Sequence, residues 1–248
     1  MTTVRALLAA LLALGLAAPA AAQTAPSSAP APAASPDAVA LARVVSPPEI
    51  LMEMTMKAGR AGFVGVALQD PDMQALEKEY PGILEYTWKA IEPEFRQATL
   101  ADQPVYFQRL GALFGARLTA EEIAVLHGFY ASPTGQKMIK AMYSNVDLSP
   151  MIESVVADPD APISAEALAA AQAKGRDRAV ATLTKSDEAA LLKLADKIGM
   201  QKMQTVGDAV QKLSLEMANE SDPALQERVG KLVGEAMERF MKERDAKR

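Results

Sequence analysis

Helix-start signals recur along the chain and constrain its fold more than any other feature of the sequence. A serine, threonine or aspartate followed within three residues by proline or an acidic residue is typical of a helix N-terminus. The strongest examples are Ser46-Pro47-Pro48-Glu49, Thr119-Ala120-Glu121-Glu122 and Thr184-Lys185-Ser186-Asp187. Apolar residues recur with helical spacing after them, and no alternating β-branched run with hairpin turns occurs. The sequence therefore predicts an all-α protein of helical hairpins or a helical bundle.

Prolines divide the first half of this pattern. The helix that starts at the first capping box is expected to run to about Leu68, and Tyr80-Pro81-Gly82 is expected to be a break. Pro93 is predicted to kink or restart the following helix, because proline lacks the backbone N–H that a helix interior needs. The residues directly before Pro104 are predicted to start another helix.

Residues 1–22 have the pattern of a secretory signal peptide. Arg5 provides a positive charge, residues 6–18 are small and apolar, and three alanines precede Gln23 as a cleavage site. The apolar run is shorter than the roughly 20 residues of a membrane-spanning helix. No cysteine follows it, so a lipid anchor at this point is excluded. We expect a periplasmic or secreted protein with no transmembrane segment after cleavage.

The rest of the composition excludes several classes of function. There is no cysteine, hence no disulfide, thiolate zinc site or cysteine nucleophile. His127 is the only histidine, so a multi-histidine metal site cannot form within one chain. Residues 23–248 carry 25 Lys+Arg against 31 Asp+Glu, and this mildly acidic balance provides no overall field for nucleic acid.

The domain organisation follows from changes in composition. Residues 23–45 are predicted to be a Pro/Ala-rich linker, with a short helix at 37–45 as an alternative. Residues 46–150 are predicted to form a helical domain and residues 151–248 a helical second half. Residues 118–138 align with 183–203, since both begin Leu-Thr and end Gln-Lys-Met. The second copy lacks the aromatic pair and the Ser-Pro corner, so a degenerate repeat stays an open alternative.

The segment LTAEEIAVLHGFYASPTGQKMIKAM, residues 118–142, predicts a helix, a corner and a second helix. Ser132 is expected to cap the second helix by accepting the backbone N–H of Gly135, with Pro133 as the first helical residue. Gly135 has no Cβ, which allows another helix to approach closely. Three residues are expected to face the core: Met138, Ile139 and Met142.

This segment, preceded by Tyr80-Pro81, resembles the bacterial family called domain of unknown function 2059. The resemblance covers roughly residues 70–145, and again 165–215 if the repeat is real. The motif positions are Leu118, Thr119, Glu122, Phe129, Tyr130, Ser132, Gly135 and Lys137. The resemblance implies an α-helical fold and a periplasmic or secreted location, and we expect the motif to be structural because the family brings no established catalytic residues.

Three methionines in five residues, Met52, Met54 and Met56, are the one metal candidate in the sequence. Thioether sulfurs select Cu(I), which makes such a cluster notable in an exported protein. On a helix, however, Met52 and Met56 share a face while Met54 points elsewhere. Methionine is also a common filler of helical cores. No cofactor is predicted.

Catalytic candidates are few. His127 lies at the edge of an apolar helical stripe, where a boundary role is expected. A carboxylate-based enzyme would need two acids at a defined separation. The acids considered are Glu92, Glu94, Glu121, Glu122, Asp158 and Asp160.

The leading functional hypothesis is a non-catalytic, envelope-associated interaction protein in the periplasm. Its partner would be an unknown envelope protein or a second copy of the chain. The alternatives are a binding module for a hydrophobic ligand or for Cu(I), and a carboxylate-based cell-envelope hydrolase. The last helix, within residues 221–248, is amphipathic and is expected either to dock on its own domain or to bind a partner.

Overall fold

The computed structural model describes residues 34–158, 161–220 and 222–247. These residues form helices and contain no strand, which confirms the all-α prediction. The predicted signal peptide and residues 23–33 of the predicted linker lie outside the described residues. The helices are α1 (Pro36–Val45), α2 (Pro48–Ala67), α3 (Pro71–Glu79), α4 (Ile83–Arg117), α5 (Ala120–Ala131), α6 (Pro133–Tyr143), α7 (Ser149–Ala157), α8 (Ala165–Ala181), α9 (Lys185–Ile198), α10 (Met200–Ala218) and α11 (Pro223–Asp245).

The short helix that the sequence allowed at residues 37–45 is present as α1, and it belongs to the core. Ser35 caps it by accepting the Ala38 N–H at 3.2 Å. Its buried residues are spaced three and four apart, which is the pattern of a helix with one apolar face. They are Ala38, Leu41, Ala42 and Val45. The described end of the predicted linker therefore packs against α4 and α5.

The capping box predicted at Ser46 is wrong. α2 begins after Pro47, and no side chain caps it. Ser46 instead ends α1, where its N–H donates to the Ala42 carbonyl at 3.0 Å. Its hydroxyl is buried 3.0 Å from the Tyr106 hydroxyl, a partner that local sequence cannot reveal.

The break at residues 80–82 is confirmed, but the two predicted interruptions at proline are not. Gly82 precedes α4 with a φ of +91°, a left-handed conformation that favours glycine. α4 then continues for 35 residues with Pro93 and Pro104 inside it. Packing against α1, α2 and α11 along its length holds the helix together despite the two missing N–H donors.

Among the described residues, two apolar clusters stabilise the fold, and α4 contributes to both. The larger cluster surrounds Tyr106, Phe107 and Phe114 of α4 and draws buried residues from α1, α5, α6 and the second half of the chain. The smaller cluster contains Ile83, Leu84 and Phe240, covered by half-buried residues of α2, α3 and α11.

The last helix docks on its own chain. The Phe240 ring packs at a tilt against the Tyr86 ring with centroids 5.0 Å apart, and Arg228 donates to Glu94 at 3.1 Å. α11 therefore lies along α4. None of the helices in the described part of the chain combines the length and apolar character needed to cross a bilayer.

Candidate functional site

The motif segment begins with the capping box that the sequence predicts. The Glu122 N–H donates to Thr119 Oγ1 at 3.2 Å, and the Thr119 N–H donates to Glu122 Oε2 at 2.7 Å. Leu118, just before the cap, is buried in the same cluster as Ile123, as expected for a hydrophobic staple.

The corner between α5 and α6 is also formed as predicted. The Gly135 N–H donates to Ser132 Oγ at 3.2 Å, and Ser132 Oγ donates to the Phe129 carbonyl at 2.5 Å. A Cβ at Gly135 would overlap the Phe129 carbonyl and the Cα of Tyr130. The close approach expected at Gly135 is therefore made by the end of the preceding helix, α5.

The aromatic pair of the motif closes the same corner. Tyr130 is buried in the large cluster, and burial raises the pKa of its hydroxyl. Phe129 is half-buried and meets the Tyr130 ring edge-on at 5.4 Å. Both rings therefore act in packing.

The two charged motif residues reach into the second half of the chain. Glu122 accepts a bond from Lys202 Nζ at 2.6 Å, and Lys137 Nζ donates to Asp187 at 2.8 Å. Burial alone would raise the pKa of Glu122, but the bonds from Lys202 and the Thr119 N–H outweigh it and lower that pKa. Bonds from Lys137, Thr134 and Thr184 hold the pKa of Asp187 well below its usual value.

His127 is partly exposed on α5, beside the buried Leu126. This position matches the edge of the apolar stripe on which the sequence placed it.

The three methionines lie on α2 and are each partly buried. Met54 packs against the large cluster and lines a small cavity with Ile50 and Tyr143. Met52 and Met56 are one turn apart, and each is about 160° from Met54 around the helix at about 100° per residue. The helix therefore does not bring the three thioethers onto one face, and the Cu(I) site stays a prediction.

Three of the candidate carboxylates, Glu92, Glu94 and Glu122, each pair with a different cation. Arg96 donates to Glu92 at 2.7 Å, and Arg228, from α11, donates to Glu94 at 3.1 Å. Asp160 lies outside the described residues. Among the described histidine, aspartate and glutamate residues, no group of three is placed to hold a metal ion.

A cleft of about 450 Å³ lies between α2, the start of α7 and α8. Lys57 and Lys174 lie at the cleft, and Lys174 Nζ donates to Asp147 at 3.1 Å. The Ser149 hydroxyl and N–H, together with Lys174, lower the pKa of Asp147 to about 2. The apolar part of the lining is Ala61, Val146, Leu148 and Ile152.

The sequence did not reveal this cleft. Residues 144–162 are rich in polar residues and proline, although Leu148, Met151, Ile152 and Val155 have helical spacing. Only the fold brings Val146, Leu148 and Ile152 opposite α2.

An exposed apolar face on α4 was also missed. Leu100 is 57 % exposed and Val105 is 50 % exposed, although both are large aliphatic residues. Ala101 and Pro104 are exposed on the same side of the helix, at the spacing of adjacent turns. We call these four residues the outer face of α4. Because a helix break was predicted before Pro104, the sequence pattern did not join them into one surface.

Residues 107–150 match the model of a family described as an uncharacterized protein conserved in bacteria, domain of unknown function 2059. Over these residues the chain is similar to domain of unknown function 2059. The resemblance read from the motif is confirmed over these residues. No curated protein and no solved structure matches the chain.

The match to domain of unknown function 2059 covers part of the described structure. It runs from the second half of α4 through the α5–α6 corner to the start of α7. It includes the whole motif and Val146 to Leu148 of the cleft lining. The outer face of α4 and the expected second copy at 165–215 lie outside it.

Proposed function

We propose that the protein is an exported bacterial envelope protein that acts by binding another protein and not by catalysis. The observation that carries this proposal is the outer face of α4. Export is supported by the signal-peptide pattern of residues 1–22.

The outer face has the composition of a small binding surface. Its centre is aliphatic, and exposed polar residues such as Gln97 and Gln108 flank it on the same helix. Protein interfaces commonly combine an apolar centre with a polar rim. Pro104 provides no N–H to the Leu100 carbonyl one turn earlier, so this carbonyl is left as an acceptor at the surface.

In vivo crosslinking tests the interaction. A photoreactive amino acid at Gln108 of the full chain, in cells that produce the protein natively, is expected to capture a specific partner. The double variant L100K/V105K should lose that product, because two charges in an apolar interface are costly to desolvate. The variant L192K, which changes an exposed leucine on α9, is the matched control and should retain it. No captured protein, or equal capture by L100K/V105K, would contradict the proposal.

Cell fractionation tests the location separately. The full chain is expected in the periplasmic or secreted fraction, and a chain lacking residues 2–22 in the cytoplasm. Equal distribution of the two chains would overturn the export part of the proposal.

A second candidate function is the binding of a hydrophobic ligand with an acidic head group, in the cleft between α2, α7 and α8. The favouring observation is an aliphatic wall next to Lys57, on the side of the cleft opposite the Lys174–Asp147 pair. Native mass spectrometry of protein purified from the periplasm should then show a bound lipid-sized species. Ala61→Phe should displace the ligand from the cleft, whereas Gly62→Phe, whose Cβ would meet open space, should retain it. A ligand that is absent, or that Ala61→Phe retains, would rule this function out.

A further inference from the structure

Two ion pairs between the halves of the chain are reciprocal. Glu122 pairs with Lys202 at 2.6 Å, and Asp187 pairs with Lys137 at 2.8 Å. Each acid is the third residue of a helix that starts at a capping box, and each lysine belongs to a Gln-Lys-Met sequence. The two copies are offset by 65 residues, so that Glu122 corresponds to Asp187 and Lys137 to Lys202. The lysines are 39 % and 38 % exposed, and the acids 11 % and 17 %, so the two environments also match.

The same shift relates whole helices. The second half of α4, α5 and α6 correspond to α8, α9 and α10 in order. α6 packs against α8, and the corresponding pair, α10 and α4, is also in contact. α5 packs against α9, which is its own equivalent. These are the contacts required when two units are related by a two-fold rotation.

A second set of ion pairs repeats the arrangement. Arg109 on α4 pairs with Glu220, just after α10, and Lys174 on α8 pairs with Asp147, just after α6. Arg109 and Lys174 are again 65 residues apart. The acids are 73 apart because α10, with 19 residues, is eight longer than α6, with 11.

Burial follows the same correspondence, with a smaller side chain at four of five matched positions in the second copy. Five buried positions of α4 align with five buried positions of α8: Gln103, Tyr106, Phe107, Leu110 and Phe114 with Leu168, Ala171, Gln172, Gly175 and Ala179. A Cβ at Gly175 would overlap the backbone carbonyl of Met142. Met142 in turn aligns with Gly207. Exchanges of size at matched positions explain why the repeat is faint in the sequence.

We propose that residues 103–143 and 168–208 are two copies of one unit related by an approximate two-fold axis. The face that carries Glu122 and Lys137 is then a self-complementary recognition surface, and its partner is another copy of the same unit. In this chain the partner is the second copy. The two charged residues of the family motif are therefore the recognition charges of this surface. A purely translated repeat would not place both lysines opposite the acid of the other copy.

Two charge-permuted variants of the full chain test the proposal. E122K/K137E reverses the charges within one copy and places like charges across both contacts. E122K/K202E exchanges the two charges of the contact between residues 122 and 202, so that both contacts still join opposite charges. Both variants have the same composition and lose the same capping carboxylate, so the difference between them isolates the two contacts. We expect the across-copy variant to melt about 5 °C higher than the within-copy variant. Equal melting temperatures would overturn the proposal.

The single substitutions K137Q and K202Q keep the test decisive if the within-copy variant does not fold. Two-fold equivalence requires that both substitutions lower the melting temperature and that salt reduce both losses. A loss at one lysine alone would count against equivalence.

The symmetry itself is measurable because the chain has no cysteine to interfere with labelling. Glu121 and Gln201 are exposed and form one pair for spin labels, and Ser186 and Gln136 form the equivalent pair. The two doubly labelled chains are expected to give the same mean distance by pulsed electron resonance. Clearly different distances would show that the copies are not related by a two-fold axis.

Discussion

Gly135 occupies a position where any side chain would enter the backbone of the preceding helix. Its missing Cβ faces the Phe129 carbonyl and Tyr130, so α6 turns away from α5 with almost no space between them. Gly128 lies on α5, and nothing is within 4 Å of where its Cβ would be. The two glycines therefore have opposite structural roles within one short motif.

Replacing each glycine with alanine separates these roles. Gly135→Ala is expected to lower the free energy of unfolding by about 2 kcal/mol, because the corner must open to admit a methyl group. Gly128→Ala should raise it by up to about 1 kcal/mol, since alanine is the better helix former. Urea unfolding followed by circular dichroism measures both. A harmless Gly135→Ala would mean that the corner is not tightly packed.

Asp187 makes the stability of the protein depend on acidity. Bonds from Lys137, Thr134 and Thr184 hold its folded pKa well below its usual value. A carboxylate with a lowered folded pKa stabilises the fold above its unfolded pKa, about 3.9, and loses this contribution as pH falls towards the folded pKa. Stability from this group is thus complete at pH 7 and declines below about pH 4.

Asp187→Asn should reduce the loss of stability that occurs as the pH falls below about 4. We expect the variant to be less stable than the parent protein at pH 7 and to differ from it less at pH 3, when both are unfolded in urea. Glu121→Gln changes an exposed acid in the first turn of α5 and is the matched control, which should retain the parent pH dependence. A constant difference between Asp187→Asn and the parent at both pH values would contradict the linkage.

At the scale of helices, the sequence predicted correctly those helix ends that depend on contacts between residues close in sequence. The capping boxes at Thr119 and Thr184 form because each donor and acceptor lies within three residues. Ser46 carries the same local pattern, but its hydroxyl joins Tyr106, sixty residues away. α1 and α4 show the same limit of local signals. α1 is bounded by prolines and α4 contains two, yet both are helical because they pack on helices distant in sequence. The α5–α6 corner was therefore predictable, whereas the cleft and the outer face of α4 depend on packing and were not.

Pro104 offers a direct measure of how much packing overrides local preference in α4. Proline inside a helix is less favourable than alanine by about 3 kcal/mol. Pro104→Ala is expected to stabilise the protein by about 1 to 2 kcal/mol, since the ring is exposed and the new N–H can bond the Leu100 carbonyl. Thermal unfolding measures this, with Val105→Ala as the neighbouring exposed control. A loss of stability would show that the chain around Pro104 has adapted to the ring.

At the scale of the whole molecule, the two apolar clusters differ in size. The smaller one rests on Ile83, Leu84 and Phe240 and is closed by α11. Local unfolding draws on regions with few buried apolar contacts. The end of the molecule formed by α3, the start of α4 and α11 should therefore open more readily than the α5–α6 corner.

Phe240→Ala tests this division. The substitution is expected to remove about 3 kcal/mol from the smaller cluster. Amide hydrogen exchange should accelerate in α11 and the start of α4, while α5 and α6 keep the parent rates. Glu227→Ala, at an exposed position of α11, should change neither region. Uniform acceleration along the chain would mean that the two clusters unfold as one unit.

The continuity of α4 also makes this helix a lever. Ile83 lies about 30 Å from Gln103 along the helix axis, at about 1.5 Å per residue, and one end is held by each cluster. Proline is a frequent point of helix bending. A bend of about 10° at Pro104 would swing the far end by about 5 Å. Leu100, Ala101 and Val105 surround Pro104. A molecule bound to the outer face would therefore contact α4 at the point where a small change in bend angle displaces the far end of the helix most.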